Sequence, residues 1–473
     1  MRRIIFFIIL TIPFISIAQV SKNITLLSHF QDEHLASIDW TTGHQIWNGC
    51  KGWADTIKHR EYAIAGSVDS IYFFDITTQS VMKKVAVKNG FSHAVNRDFD
   101  VFDHYVYCVS DNVTSGSAQG KLQIFDLQYL PDSVHTVYES KATGSNTHTI
   151  FINKKSKRLY KCINRYRSDS NTISSTNAME IYSLRDPENP SVMAKLSRTN
   201  YSDVHESYVR NDTVYCSSGD AGIFFYDMTD TSHIKKLGSI EPPYPDNAYN
   251  HSNWLDSSGK YILFTDETAD GKGMKIYDIS DLANPKVVGT PFRNYGSPHN
   301  SYWVGRYAYT SMYYGGINIY DMKNVNAPDF VAYYRTFSNQ HTPNIYEGCW
   351  GIYPFLPSGN IIASDMNTGI YLFRLEKNLL GINSPENDLM SIRTFPNPFI
   401  QNISISISNT EKQSAHLLVY DLHGKIAAEK TAEFSIGENT IELTELQNHP
   451  KGIYFVKIIS NGEVFHQSIV KQE

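Results

Sequence analysis

One short pattern recurs seven times, and it limits what this chain can fold into more than any other feature. It reads Ser70-Ile-Tyr-Phe-Phe-Asp-Ile76, Lys121-Leu-Gln-Ile-Phe-Asp-Leu127, Ala178-Met-Glu-Ile-Tyr-Ser-Leu184 and Gly222-Ile-Phe-Phe-Tyr-Asp-Met228. It returns as Gly273-Met-Lys-Ile-Tyr-Asp-Ile279, Gly316-Ile-Asn-Ile-Tyr-Asp-Met322 and Gly369-Ile-Tyr-Leu-Phe-Arg-Leu375. The copies begin 43 to 57 residues apart. Each is rich in β-branched and aromatic residues with partial alternation, which favours a strand. Five copies carry Asp at the same place, and Ser183 and Arg374 replace it in the others. A unit of this length cannot bury its own apolar faces, so it must stack on further copies of itself.

A second strand-like segment precedes each copy: Glu61–Ala65, Tyr105–Val109, Arg158–Ile163, Thr213–Ser217, Tyr261–Thr265, Tyr307–Ser311 and Asn360–Ser364. After the third, fifth and sixth copies comes Asn189-Pro190, Asn284-Pro285 or Ala327-Pro328. Proline there presets a turn and stops the strand. A further strand follows, as in Lys286–Gly289. Four short strands in each of seven units predict an all-β chain built as a seven-bladed β-propeller. The seventh unit ends at Leu375 without a fourth strand, and Asn23–Phe30 is the expected substitute. An N-terminal strand in that place closes the ring and leaves no open seam.

Each unit opens on a segment rich in polar and aromatic residues: Trp53–Asp55, Asn96–Asp98, Asn146–His148, Asp203–Glu206, Asn250–Asn253, Pro298–Asn300 and Glu347–Trp350. The first strand of a blade lines the central channel, so His148, His205, His251 and His299 are expected as an arc across four successive blades. Asp55, Arg97, Asp98, Asp203, Glu206 and Glu347 are expected near the same mouth. Two readings of these groups stay open. They form a ring of polar side chains that satisfy one another, or a site. Neutral imidazole with carboxylate suits a divalent transition metal, and a small ligand is the alternative occupant. Asp266-Glu267, at the end of the fifth unit's second strand, can face the channel mouth or solvent, with solvent the preferred reading, and Asp365 holds a comparable place.

All five cysteines lie beyond the first 49 residues. Cys108, Cys162 and Cys216 are spaced 54 residues apart in similar Tyr-containing contexts, which reads as one equivalent position in three repeats, filled by a small core hydrophobe. Cys50 and Cys349 can pair only if the two ends of the array meet.

The N-terminus carries Arg2-Arg3, an apolar run from Ile4 to Ile17, and Ser16-Ile17-Ala18. This reads as a secretory signal peptide over residues 1–18. The run is short of the roughly 20 apolar residues a membrane span needs, and no transmembrane segment is expected in the mature chain. With 42 basic against 48 acidic residues, charge gives no reason to expect nucleic acid as a partner. Gly-Xaa-Ser-Xaa-Gly, phosphate-loop and His-Glu-Xaa-Xaa-His motifs are absent from the sequence.

The composition changes after Leu375. Residues 377–392 read as a linker, and 393–473 as a compact β domain. Phe395-Pro-Asn-Pro-Phe399 opens it, Ile403–Ile407 alternates, and Gly452-Ile-Tyr-Phe-Val-Lys-Ile458 and Ile469–Glu473 close it. These segments resemble the type A C-terminal sorting domain of type IX secretion substrates. That resemblance implies a Bacteroidota-type bacterium, the type IX machinery as partner, and delivery to the outer surface or the medium. Residues 19–376 are read as the propeller domain, and about 24–376 of them resemble the LVIVD-repeat propellers and, among them, the choice-of-anchor B proteins. The likeness rests on Gly273-Met-Lys-Ile-Tyr-Asp-Ile-Ser-Asp-Leu-Ala-Asn-Pro285 and on Gly348–Asn360. The third unit departs most, with Ser183 and the polar stretch Ser168–Asn177. The resemblance implies a surface or secreted propeller, and the expected function is to bind a ligand, protein or glycan. The competing expectation is a metal-dependent hydrolase or lyase with its site among the four channel histidines.

Overall fold

The computed structural model describes residues 21–40, 43–78, 80–111, 120–141, 147–163, 177–198, 203–243, 249–268, 273–289, 296–337, 346–376, 390–409, 412–422, 424–460 and 463–472. The signal-peptide reading, most of the third unit's polar loop and most of the linker lie outside these residues. The chain divides into two compact units, residues 1–379 and 380–473.

Among the described residues, the first unit contains seven antiparallel sheets with four repeat strands each, numbered here in chain order. Their first strands are Trp47–Asp55, Asn96–Phe102, Thr147–Asn153, Glu206–Arg210, Asn250–Leu255, Ser301–Val304 and Cys349–Tyr353. All seven copies of the repeated pattern form third strands. The N-terminal segment joins two sheets at their outer edges. Ser21–Lys22 pairs with Tyr333–Tyr334 as a fifth strand of sheet 6. Ile24–Phe30 then pairs with Gly369–Leu375 as the fourth strand of sheet 7. Asn23 makes the step between them with a left-handed φ of 55°. Asparagine tolerates that conformation better than most residues, and its Nδ2 donates to the Val331 carbonyl at 2.8 Å.

The core is divided into layers between successive sheets. Trp53, Ile64 and Phe73 of sheet 1 pack with Phe99, Val106 and Phe125 of sheet 2. Comparable clusters join sheets 2 and 3, 3 and 4, 4 and 5, 5 and 6, and 6 and 7. One more joins Leu356, Ile362, Ile370 and Leu372 of sheet 7 with Ala63, Tyr72 and Phe74 of sheet 1. Strand side chains alternate between faces, so each sheet serves two layers, which is why the repeat reads as apolar with only partial alternation.

The repeated Asp ends the third strand. Asp75, Asp126, Asp227, Asp278 and Asp321 each accept the backbone N–H two residues on, at 2.9–3.0 Å. In sheets 1, 5 and 6 the carboxylate also reaches back to a cation before or at the start of the second strand, as in the Asp75–Arg60 pair at 2.5 Å and the Arg306 Nε–Asp321 bond at 2.7 Å. Ser183 keeps the turn bond, accepting from the Arg185 N–H at 3.3 Å. Arg374 stands where the seventh unit needs no such turn and donates to Asn360 Oδ1 at 2.9 Å.

The equal cysteine spacing is misleading. Cys108 pairs with Gln123 and Cys216 with Phe224, each three residues before the repeated Asp. Cys162 pairs with Met179, four before Ser183. One residue of register turns a side chain to the opposite face. Cys162 therefore faces sheet 4 and shares a cluster with Cys216, which faces back toward sheet 3. These three thiols are buried, and all five cysteines are free.

The second unit has a three-stranded sheet of Met390–Phe395, Ile403–Asn409 and Gly437–Leu443. Its four-stranded sheet runs Ile426–Phe434, Gln413–Tyr420, Gly452–Ser460 and Glu463–Lys471 in spatial order. Ile403, Ile405 and Leu443 of one sheet pack against Leu417, Val456 and Ile469 of the other, giving a small sandwich with its own core.

Candidate functional site

The seven first strands line a cavity of about 740 Å³, within the usual range for a ligand site. Its construction follows from strand register. Within each second strand, take the residue opposite the repeated Asp, or opposite Ser183 or Arg374. The residue two positions further pairs across to Lys51, Asp100, Phe151, Tyr208, Trp254, Tyr302 or Tyr353. These seven equivalent side chains all face the cavity. Lys51 and Asp100 pair with each other at 2.9 Å. Although burial works against it, the Asp100 carboxylate holds the Lys51 ammonium above its ordinary range. The other five are half-buried aromatics in mutual contact. Trp254 lies 4.3 Å from Tyr208 and 4.9 Å from Tyr302, ring centre to ring centre, and Phe355 packs against it at 5.3 Å.

Beside this belt lies a polar layer. Glu206 accepts from Asn300 Nδ2 at 2.7 Å. Burial, with the nearby charge of Asp98, pushes its carboxyl up to about 8. Asp98 accepts the Ile150 backbone N–H at 2.7 Å and is pushed by burial up to about 6.

The four histidines form one continuous row. His148, His205, His251 and His299 stand ring to ring at 4.3, 4.3 and 4.1 Å. His148 Nε2 lies 3.1 Å from His205 Nε2. His148 Nδ1 meets Asp111 at 2.6 Å. Against the desolvation of burial, that carboxylate holds His148 above its ordinary value. Burial and the neighbouring imidazoles hold His205 and His251 far below theirs, and burial takes His299 down to about 3. Three neutral imidazoles thus stand beside one whose affinity for a proton is raised. His205 Nδ1 bonds to the Tyr249 hydroxyl at 2.8 Å. Tyr313 OH donates to Glu267 Oε1, and Glu267 Oε2 lies 3.8 Å from His251 Nε2. Burial pushes Glu267 up to about 7. Among the described residues, His205, His251 and Glu267 form a group whose ligand atoms all lie within 4.8 Å of one another.

Asp55, Asp203 and Glu347, also expected at the mouth, lie elsewhere, and Arg97 borders the cavity but turns its guanidinium away from it. Asp55 caps the turn at the far end of its strand, accepting the Ile57 and Lys58 N–H groups at 3.0 and 2.9 Å. Arg97 is fully buried between sheets 1 and 2, donating to the carbonyls of Ser67 and Val68 at 2.7 and 2.8 Å and to that of Phe91. Its side chain fills space that a Cβ on Gly66 or Gly90 would invade. Asp203 pairs with Arg198 in a second pocket, lined also by Asp220 and Lys236. Glu347 borders Asn367 and the backbone of His44. In each case the residue belongs to a mouth-proximal segment in the sequence, but strand position or alternation turns it away.

Glu267 corrects a different reading. It is turned into the histidine row rather than to solvent, and Asp266 beside it pairs with Lys275, both fully buried. Asp365 is likewise buried and accepts from Thr336 Oγ1 at 2.5 Å. The sequence reading also passed over Asp111, Tyr249 and Tyr313. A signal for three of these residues exists in the repeat. Asp111, Glu267 and Tyr313 each lie six residues beyond the second-strand residue opposite the repeated Asp. Gly219 occupies that register in sheet 4, and the Tyr249 ring stands where its side chain would be, 2.6 Å from a Cβ built there.

The sheets and their channel define a β-propeller. The WD40 β-propeller domain of Doa1 is similar in fold at a TM-score of 0.50, with 10% identity over 75% of this chain and 98% of that chain. The β-propeller domain of Myceliophteria thermophila Cps50 (Swd1) gives a TM-score of 0.46 and 13% identity over 74% of this chain and 99% of that one. No curated protein matches the chain. The family model of the secretion system C-terminal sorting domain matches residues 393–472. The chain is therefore a β-propeller joined to a type IX sorting tail, which directs export to the cell surface or extracellular space.

Proposed function

We propose that this chain is a seven-bladed propeller of the LVIVD-repeat and choice-of-anchor B kind. Its ring is closed by the N-terminal strand, and it is exported by type IX secretion to bind a neutral glycan in its channel. The seven sheets, the apolar layer between sheets 7 and 1, and the edge pairing of Ile24–Phe30 support the ring. The observation that carries the ligand class is the seven-fold equivalent layer around the cavity, with five adjoining positions aromatic. Half-exposed rings present flat apolar faces to the C–H face of a sugar. Glu206, Asn300 and the histidines supply hydroxyl partners from the neighbouring layer. Lys51 is neutralised by Asp100, so no unpaired cation stands among the seven equivalent positions to select an anion; Lys154 and Lys155 also line the cavity but are exposed to solvent, where their charge is screened.

Binding of the mature protein to a panel of neutral and acidic oligosaccharides, followed by calorimetry on any hit, tests this. Saturable binding to a neutral glycan that weakens at least ten-fold in Trp254→Ala and in Tyr208→Ala supports the reading. Failure to bind any neutral member, or undiminished binding in both folded variants, overturns it.

A further inference from the structure

We propose that His205, His251 and Glu267 form a binding site for a divalent transition metal in the wall of the channel. Each residue offers one ligand atom. Tyr249 engages His205 at Nδ1, so its ligand atom is Nε2, which faces His148 Nε2 at 3.1 Å. Tyr313 engages Glu267 at Oε1, which leaves Oε2. His251 Nε2 stands 3.8 Å from that oxygen. Ligands about 2.0–2.2 Å from one tetrahedral zinc lie roughly 3.4 Å from each other. The 3.8 Å pair is close to that spacing, and atoms within 4.8 Å reach it by small side-chain shifts. Two imidazoles and one carboxylate suit zinc, cobalt or copper, whereas calcium and magnesium prefer all-oxygen sites.

A second observation is independent of the ligand spacing. The Nδ1 atoms of His251 and His299 are buried and make no hydrogen bond, although these residues are only 2% and 5% exposed. Buried polar groups are ordinarily paired. A row of imidazoles with ring centres 4.1–4.3 Å apart and planes tilted by 47–58°, with two ring nitrogens making no hydrogen bond, is poorly explained by mutual satisfaction. A cation at His251 Nε2 fixes that ring's proton on Nδ1, which faces Glu206 Oε2 at 3.9 Å. Tyr249 and Tyr313 then act as the outer hydrogen-bonding groups that orient a ligating imidazole and a ligating carboxylate. His148 Nε2, 3.1 Å from His205 Nε2, is the nearest further donor. The site does not depend on the glycan reading, because its test contains no sugar.

Chelator-treated mature protein titrated with Zn²⁺, and separately with Co²⁺ for its visible spectrum, decides the matter. The expected result is one metal per chain, with Zn²⁺ displacing Co²⁺. Affinity should fall at least ten-fold in Glu267→Gln and in His251→Asn, and stay unchanged in Asp203→Asn. Where a ligand variant fails to fold, Tyr313→Phe keeps every ligand and is expected to bind about ten-fold more weakly. Absence of saturable stoichiometric uptake overturns the proposal. So does wild-type affinity in the folded ligand variants, or in Tyr313→Phe when those do not fold.

Discussion

Sheets 3 to 6 and sheets 7, 1 and 2 share one backbone pattern but use the channel differently. In sheets 3 to 6 the start of each unit places a histidine in a continuous row, and each equivalent cavity position is aromatic. In sheets 1 and 2 the equivalent cavity positions are Lys51 and Asp100, which neutralise each other. Arg97 of sheet 2 borders the cavity but turns its guanidinium away from it to clamp sheet 1. The difference shows that a repeat defines positions, while each position can serve stability or recognition. One group of sheets presents chemistry to the cavity, and the other holds itself together there.

The largest effect is expected in the clamping group. Arg97→Met keeps much of the bulk but removes the guanidinium's bonds to the carbonyls of Ser67, Val68 and Phe91 from a fully buried position. It should cost about 3 kcal/mol or more, read as a lower urea midpoint at unchanged slope. A loss under about 1 kcal/mol would break the distinction between the groups. Trp254→Ala, in the presenting group, removes a half-buried ring that touches Tyr208, Tyr302 and Phe355. About 2–3 kcal/mol is expected, below the 3–5 typical of a fully buried aromatic, together with the loss of glycan affinity.

Asp98 sharpens the comparison through pH. Its folded value of about 6 lies above its unfolded value near 3.8. Between those values the folded state holds a proton that the unfolded state has released, so stability falls as pH rises through that window and stays lower above it. Asp98→Asn can keep the bond from the Ile150 N–H without a charge. Unfolding at about pH 4.5 and about pH 7.5 should show the variant gaining roughly 1–3 kcal/mol on the wild type at the higher pH. Parallel behaviour of the two proteins would assign the slope to other groups. The smallest effect belongs to Asp203→Asn. Asp203 lines the second pocket and pairs with Arg198, whose side chain is 7% exposed, and Asn keeps an acceptor for it, so stability should fall by about 1 kcal/mol. Cavity binding by calorimetry should not change, and a ten-fold loss there would join the two pockets functionally.

Much of this was legible. The seven Asp-bearing or Asp-equivalent segments announced their strands because strand propensity and turn capping are local, and Ser183 retains the turn bond. The histidine row was also visible as a recurrence at the start of four units. Asp55, Arg97, Asp203 and Glu347 were misplaced because proximity in sequence does not fix which way a strand residue points. Cys162 shows how little it takes, since a single step of register moved it to the other face. Glu267 and Asp111 were hard to assign because they lie on second strands, and only cross-strand pairing reveals that their ends run under the histidines.

By itself the sequence determined the all-β repeat, the strand that completes the seventh unit and the boundary of the sorting tail. Those depend on periodicity, turn chemistry and local motif. Only the tertiary structure decided which polar residues meet, because His205, His251 and Glu267 come from two different sheets and three different strands or strand ends. Their separation in space is set by how twisted sheets pack face to face, a relation between repeats that no single repeat encodes.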